Sequence, residues 1–287
     1  MPASRTRGLL YAIAGAAIGA VAARAAYTAF TRDRPADLSG RWTRKNHRGE
    51  PITLLEGPAF AAGASAAAAL TPGLTPRVRA AALLAGAGSA TVGAYDDLYG
   101  TTSSKGFKGH LSALARGEVT SGAVKILGIG ASGLAAAALV SQGPLDTLAN
   151  GVTIAGAANL ANLFDLRPGR AIKVGLLTGG PLLAATLLRG SPATAALAAA
   201  PLGAAAALLP EDLGERAMLG DAGANALGAL LGLAAVTQLG RPGRYALLGT
   251  VAALTAAAEK VSFTKVIAGN RVLNAIDMLG RRPVDPV

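Results

Sequence analysis

The sequence lacks cysteine and is poor in aromatic and charged residues. None of its 287 residues is cysteine, 4% are aromatic and 15% are charged. The absence of cysteine excludes disulfides, thiolate metal sites and a cysteine nucleophile. Only two histidines are present, His47 and His110, so we do not expect a metal site built from histidines. With so little charge and 52% hydrophobic residues, the chain is not intrinsically disordered.

Small apolar residues dominate the rest of the sequence, whose mean hydropathy is +0.43. The chain is too apolar and too sparsely charged for an ordinary soluble domain. We predict an all-α polytopic membrane bundle of about nine transmembrane helices. Ala and Gly dominate the apolar runs and permit close helix packing. The nine runs are 8–30, 52–70, 78–95, 121–140, 146–164, 171–188, 192–209, 217–239 and 244–258.

The C-terminal segment differs from these runs. We predict a transmembrane domain at 1–258 and a cytoplasmic amphipathic tail at 259–287. Apolar residues of the tail recur at roughly helical spacing with basic residues between them, as in Phe263, Lys265 and Val266. Such a helix either lies at the inner membrane interface or packs on the cytoplasmic end of the bundle.

The basic residues predict the orientation. They number 27 against 16 acidic ones, giving a net charge of +11. In so apolar a chain this excess suits cytoplasmic loops and anionic lipid, so we expect no nucleic-acid partner. Eighteen of the 27 fall on one side of the predicted spans and seven on the other. The positive-inside rule then places the N-terminus outside the cell membrane, and the C-terminus with the basic loops 41–57 and 105–116 in the cytoplasm.

Two adjacent carboxylates, Asp96 and Asp97, end the third predicted span. A helix C-terminus already carries partial negative charge, and neighbouring carboxylates repel each other. A solvated helix end explains them less well than a divalent cation such as Mg²⁺, which binds carboxylates together with substrate phosphates.

A second polar group ends the fifth predicted span. Asn159, Asn162 and Asp165 are spaced three residues apart and share one helical face. Hydrogen bonds between helices would satisfy the amides, but Arg167 and Arg170 follow at once and favour an anionic ligand.

A third acidic residue, Asp221, opens the eighth predicted span. On its own it is equally well explained as the N-cap of that helix. A functional role for Asp221 is favoured because this residue lies on the same predicted membrane face as the other two groups. Lys125, just inside the fourth span, is placed to meet a lipid phosphate.

These groups, in this order, resemble the motifs of the polyprenyl-phosphate N-acetylhexosamine-1-phosphate transferase family. The family has an Asp-Asp pair after its third span, an Asn-x-x-Asn-x-x-Asp run after its fifth, and a Gly-Asp-x-Gly turn before a later span. The corresponding residues here are Asp96-Asp97, Asn159 to Asp165, and Gly220 to Gly223. The stretch from Asn46 to Pro51 is similar in placement, and the resemblance covers about residues 40 to 235.

The resemblance implies a Mg²⁺-dependent transfer of a sugar-1-phosphate from a nucleotide-sugar, UDP-linked in the family, to polyprenyl phosphate at the cytoplasmic face. Asp96 and Asp97 would be catalytic, and Asp97 and Asp221 would bind Mg²⁺. Asn159, Asn162 and Asp165 would hold the nucleotide side. Arg167 and Arg170 would bind the diphosphate, and Lys125 the lipid phosphate. A homodimer is left open.

Four features of the family are missing, namely the lysine after its Asp pair, the Asp-Gly after its asparagine run, its histidine-rich loop and its final span. Its lysine after the Asp pair falls at Gly100, and its histidine-rich loop has no counterpart, since neither histidine lies in the C-terminal third. A non-catalytic or degenerate protein that binds or transports a polyprenyl lipid is therefore the alternative. A transporter should place polar groups near mid-membrane. This sequence concentrates them at the cytoplasmic helix ends, with Arg24 as the main exception within a span, which favours the enzyme.

Overall fold

The computed structural model of the protein describes residues 2–32, 40–100, 112, 115–117 and 120–283. It is mostly helical, with 79% of residues in helices, as predicted. The basic residues Lys105 and Lys108 of the 105–116 loop lie outside the described residues. In chain order the helices are α1 (Pro2–Arg32), α2 (Glu56–Leu70), α3 (Pro76–Leu83), α4 (Ser89–Tyr99), α5 (Ser121–Val140), α6 (Pro144–Phe164), α7 (Arg170–Arg189), α8 (Pro192–Leu213), α9 (Gly220–Gln238), α10 (Arg241–Ala258), α11 (Phe263–Gly269) and α12 (Arg271–Met278).

Each predicted span overlaps helical structure, but the count of nine transmembrane helices is not confirmed. Four described helices are long and apolar enough to cross a membrane, namely α1, α5, α7 and α8. A fifth is added if α10 and α11, which meet at a bend of 94°, form one span. Helix α2 is too short. A π-helical segment, Leu84–Gly88, joins α3 and α4 into one continuous helix over 76–99, but neither this helix nor α6 and α9, which are long enough, is apolar enough to count as a span. The apolar helices indicate a membrane protein.

Helix α9 is the centre of the bundle and is buried along most of its length. It packs against α2, α4, α6, α7 and α8. Two glycines permit the closest approaches to its first turn: a Cβ at Gly93 of α4 would collide with the carbonyl of Asp221, and one at Gly57 of α2 with the carbonyl of Leu219. The ends of α2 and α4 therefore lie directly beside the start of α9.

A short antiparallel hairpin, with strands β1 (Thr43–Lys45) and β2 (Pro51–Thr53), is an addition to the mostly helical fold that the sequence did not predict. It lies within the predicted loop 41–57 and at the start of the second predicted span. Its second strand docks on the segment before α9, where the Thr53 amide donates to the Arg216 carbonyl at 3.2 Å and the Met218 amide donates to the Thr53 carbonyl at 3.1 Å. The hairpin thus packs against the same end of the bundle as the start of α9.

The C-terminal tail packs on this end as well. Arg170 at the start of α7 forms a two-pronged ion pair with Asp277 of α12, at 2.7 and 3.0 Å. The rings of Phe164 and Phe263 stack with centroids 5.1 Å apart. Val272 and other apolar side chains of the tail remain exposed, so an interfacial position for that surface stays a prediction.

Candidate functional site

The predicted acidic groups meet at one end of the bundle. Asp96 and Asp97 lie in the last turn of α4, Asp165 directly follows α6, and Asp221 lies in the first turn of α9. Lys125 comes from the beginning of α5. Four helix ends that are far apart in sequence therefore supply one site, because adjacent antiparallel helices present alternate ends to the same side of the bundle.

Lys125 is the cation at the centre of this site. Its ammonium nitrogen lies 3.3 Å from a carboxylate oxygen of Asp96 and in direct contact with Asp221. The Lys125 side chain is 14% exposed, and those of Asp96 and Asp221 are 19% and 24% exposed. In water such pairs contribute little, but partial burial strengthens the attraction. The pairing offsets the repulsion between the two carboxylates.

Asp97 has a different role from its neighbour. Its two carboxylate oxygens accept the backbone amides of Asp221, at 3.0 Å, and Ala222, at 2.9 Å. Asp97 therefore caps α9 from another helix, satisfying amides that have no partner within α9. Asp221 does not cap its own helix through its side chain. The guanidinium of Arg44 in the hairpin contacts the Asp97 carbonyl.

The asparagines and Asp165 sit one helix away from this group. Asn159 and Asn162 are half-buried in the last turns of α6, and Asp165 is buried at its end. The Asp165 amide donates to the Asn162 carbonyl at 3.1 Å, which ends the helix. Asp165 interacts electrostatically with Asp97 and Asp221, so it belongs to the same acidic environment.

The two arginines predicted to bind the diphosphate are separated by the fold. Arg167 is half-buried and lines a pocket beside the hairpin. Arg170 is 4% exposed and is occupied by Asp277 and by the Thr264 hydroxyl at 2.9 Å. The prediction for Arg170 is therefore corrected: this side chain anchors the tail, and its charge is used by a buried carboxylate.

The pocket, called the hairpin pocket below, has a volume of about 260 Å³. Partial burial lowers the pKa of the His47 imidazole in its wall, so this side chain is neutral near pH 7. Basic and acidic groups both reach the pocket. It is lined by Lys45, Asn46, His47, Ile52, Asp165, Leu166, Arg167, Pro168, Asp212, Glu215, Ala217 and Met218.

Sequence reasoning missed three acidic residues here: Glu56, Asp212 and Glu215. Glu215 is buried and holds the hairpin, accepting from Asn46 at 2.8 Å and from Arg48 at 3.1 Å. Glu56 and Asp212 are fully buried near Asp165. A signal was present, since Glu56 falls within the apolar run 52–70 and a charge there is costly.

The predicted metal ligands, Asp97 and Asp221, do not fit a directly coordinated Mg²⁺ in this arrangement. The Asp97 oxygens are used by backbone amides, and Asp221 is paired with Lys125. Over the described ranges, no group of three or more His, Cys, Asp or Glu side chains is arranged to hold a metal ion. Carboxylate oxygens without partners do occur nearby, but on other residues.

Comparisons with known proteins do not add a family to this geometry. No protein-family model matches the chain, and no curated protein matches it. The site must be interpreted from its own residues.

Proposed function

We propose that this protein transfers a sugar-1-phosphate from a nucleotide-sugar to polyprenyl phosphate at the hairpin end of the bundle. One observation carries the proposal: two acidic motifs that are far apart in sequence meet at Lys125, whose ammonium lies between Asp96 and Asp221. Both reactants are anionic, so a site for this reaction needs positive charge held in place at the reacting phosphates. The proposal includes dependence on Mg²⁺, as the family resemblance implies.

The proposed reaction forms one bond and breaks one. An oxygen of polyprenyl phosphate attacks the phosphorus that bears the sugar, and the bond from this phosphorus to the nucleoside monophosphate breaks. The products are polyprenyl-diphospho-sugar and a nucleoside monophosphate, which leaves with the bridging oxygen. Lys125 would bind the acceptor phosphate, and Asp96 would orient Lys125 and accept a proton from a protonated acceptor.

The nucleotide-sugar donor would bind in the part of the site that contains the hairpin pocket. Arg167 lines this pocket and would contact the diphosphate. Asn159, Asn162 and Asp165 lie at the adjoining end of α6 and would contact the nucleotide side. The hairpin would close this part of the site, because Arg44 reaches the Asp97 carbonyl.

A groove beside α1 supports binding of a lipid at the same end. It has a volume of about 360 Å³ and is lined by Tyr27, Phe30, Thr31, Thr43, Pro51, Ile52, Thr53, Leu55 and Arg216. Its aromatic and aliphatic side chains suit a hydrocarbon chain, whereas its arginine, Arg216, is already paired with Glu211. The same groove favours the second candidate function, polyprenyl-lipid binding without turnover.

One assay separates the two candidates. Purified full-length protein is incubated with polyprenyl phosphate, Mg²⁺ and a panel of nucleotide-sugars, and release of nucleoside monophosphate is measured. Release that requires both the lipid and one nucleotide-sugar supports the transferase. Saturable binding of the lipid without release from any donor supports the binding protein.

Replacing Arg167 with Ala should raise the apparent KM for the nucleotide-sugar by about tenfold and change that for the lipid much less. A guanidinium at the pocket wall can hold two phosphate oxygens, and a charge-assisted hydrogen bond contributes about 1.5–3 kcal/mol. Arg271→Ala, at an exposed position of the tail, is the matched control. An unchanged donor KM would exclude Arg167 from donor binding.

The proposed orientation puts the site in the cytoplasm and the N-terminus outside. The cysteine-free chain permits a direct measurement with Ser4→Cys and Lys265→Cys, both at exposed positions. An impermeant thiol reagent should label Ser4→Cys in intact cells and Lys265→Cys only after permeabilisation. The reverse pattern would place the site outside, away from cytoplasmic nucleotide-sugars.

A further inference from the structure

Five buried carboxylate oxygens lack a well-formed hydrogen bond, although the backbone amide of Gly220 interacts with Asp165. They are both oxygens of Glu56, both of Asp165 and one of Asp212. These residues are 0%, 5% and 1% exposed. Burying a carboxylate without a partner is costly, and buried charges in proteins are ordinarily paired or bound to a metal. Such a group of oxygens requires something that compensates for it.

The three residues form one cluster although they come from three elements. Glu56 begins α2, Asp165 follows α6, and Asp212 lies in the last turn of α8. Glu56 interacts electrostatically with both of the others. The second oxygen of Asp212 accepts the Gly169 amide at 2.8 Å, which fixes the side chain.

The basic side chains nearby are already used. Lys125 is paired with Asp96 and Asp221. Lys173 donates to the Asp277 carbonyl at 2.6 Å, and Arg170 is paired with the Asp277 carboxylate. Lys173 and Arg281 act electrostatically on Asp212, but Lys173 donates to Asp277 and Arg281 is paired with the Asp277 carboxylate. The cations closest to this cluster are therefore committed to Asp277 and compensate the negative charge of the cluster only in part.

The hairpin pocket gives this cluster an entrance. Asp165 and Asp212 both line it, and its volume of about 260 Å³ accommodates an ion with several water molecules. Mg²⁺ is commonly bound by one or two carboxylates and keeps several of its waters. This mode of binding does not need three side chains in direct contact with the ion.

We infer that a divalent cation binds at the base of the hairpin pocket between Asp165 and Asp212, near Glu56, without three carboxylates in direct contact with it. Asp165 and Asp212 hold the ion, in part through its waters, and Glu56 adds negative charge behind them. The choice of Mg²⁺ rests on the proposed function, and it moves the ion from Asp97 and Asp221 to this cluster. The ion would then lie beside Arg167, on the donor side of the site.

The test measures ion binding without any nucleotide-sugar. Mn²⁺ replaces Mg²⁺ as the probe because both prefer oxygen ligands, and the signal of free Mn²⁺ in electron paramagnetic resonance reports its binding to the purified full-length protein. We expect one bound Mn²⁺ that Mg²⁺ displaces. Asp212→Asn and Glu56→Gln should each weaken binding about tenfold or more. Asp146→Asn, a buried acid that pairs with Arg241 at 3.2 Å elsewhere in the bundle, should leave it unchanged.

Thermal unfolding supplies a second measurement that does not depend on turnover. Mg²⁺ should raise the Tm of the wild-type protein, since an ion that binds only the folded state stabilises it, and Asp212→Asn should abolish the shift. If the three carboxyl groups are instead protonated and bind no ion, the wild type will show neither Mn²⁺ binding nor a Tm shift at millimolar concentrations. That result, or loss of binding in Asp221→Asn but not in Asp212→Asn, would overturn the inference.

The two proposals fail in different ways. If Mn²⁺ binding depends on Asp212 but no donor releases nucleoside monophosphate, the cation site is supported and the transferase proposal is excluded. If both Asp212→Asn and Glu56→Gln release nucleoside monophosphate at the wild-type rate with Mg²⁺, the transferase proposal is supported and this cluster is excluded as the site of its Mg²⁺.

Discussion

Asp221→Asn is expected to reduce nucleoside monophosphate release about 100-fold or more at saturating substrates, and Asp96→Asn similarly. The two carboxylates hold the Lys125 ammonium between them, and each substitution removes one of the charges that position it. Misplacing a charged group aimed at a reacting phosphate costs about two orders of magnitude or more in other enzymes. Initial rates of monophosphate release measure the effect.

Asp146→Asn is the control for removing a buried carboxylate from this bundle. Asp146 is 5% exposed and lies in the first turn of α6, at the opposite end of this helix from Asp165. Its replacement should leave the rate nearly unchanged. If folded Asp221→Asn and Asp96→Asn turn over at the wild-type rate, the acids around Lys125 are not catalytic, and lipid binding without turnover becomes the better explanation.

Arg170→Met is expected to destabilise the protein by about 3 kcal/mol or more and to release the C-terminal tail. The substitution leaves the buried carboxylate of Asp277 without its two-pronged partner, and breaking such a pair costs about 3–5 kcal/mol. Arg281 also pairs with Asp277, at 2.8 Å, and would retain part of the stability. Thermal or denaturant unfolding gives the stability, and limited proteolysis reports release of α12.

The double variant Arg170→Met/Asp277→Leu should recover part of this loss, because it leaves no unpaired buried charge. Arg271 lies on the same helix as Asp277 but is exposed, so Arg271→Met should change the free energy of unfolding by less than about 0.5 kcal/mol. An equal loss in the double and single variants would show that the ion pair is not what anchors the tail.

The same ion pair predicts a pH dependence. Burial raises the pKa of Asp277, but the hydrogen bond and charge of Arg170 outweigh this and hold the pKa below its ordinary value. A carboxyl group with a lowered folded-state pKa stabilises the protein at pH values above its unfolded pKa, about 4. Its contribution is lost as the pH falls through the lower pKa of the folded state. Attachment of the tail should therefore weaken only below about pH 4.

The sequence was sufficient to predict the helices and the meeting of Asp96, Asp97 and Asp221 at one end. Apolar runs of this length predict helices, although only four or five of the described helices are long and apolar enough to cross a membrane. Because consecutive helices run in opposite directions, the C-terminal end of one helix and the N-terminal end of the next lie on the same side of the bundle. The cluster around Lys125 follows from that alternation together with close packing of the helices.

The partners of individual charges could not be predicted in this way. Arg167 and Arg170 are three residues apart, yet one lines the hairpin pocket and the other is buried against Asp277. Glu56 and Asp212 are 156 residues apart and carry no shared motif, yet they are close enough to interact electrostatically. These pairings depend on how each helix is rotated and how closely it approaches its neighbour. Such distances are set by packing across the bundle, at contacts such as that of Gly93 with Asp221, which the periodicity of a single helix does not encode.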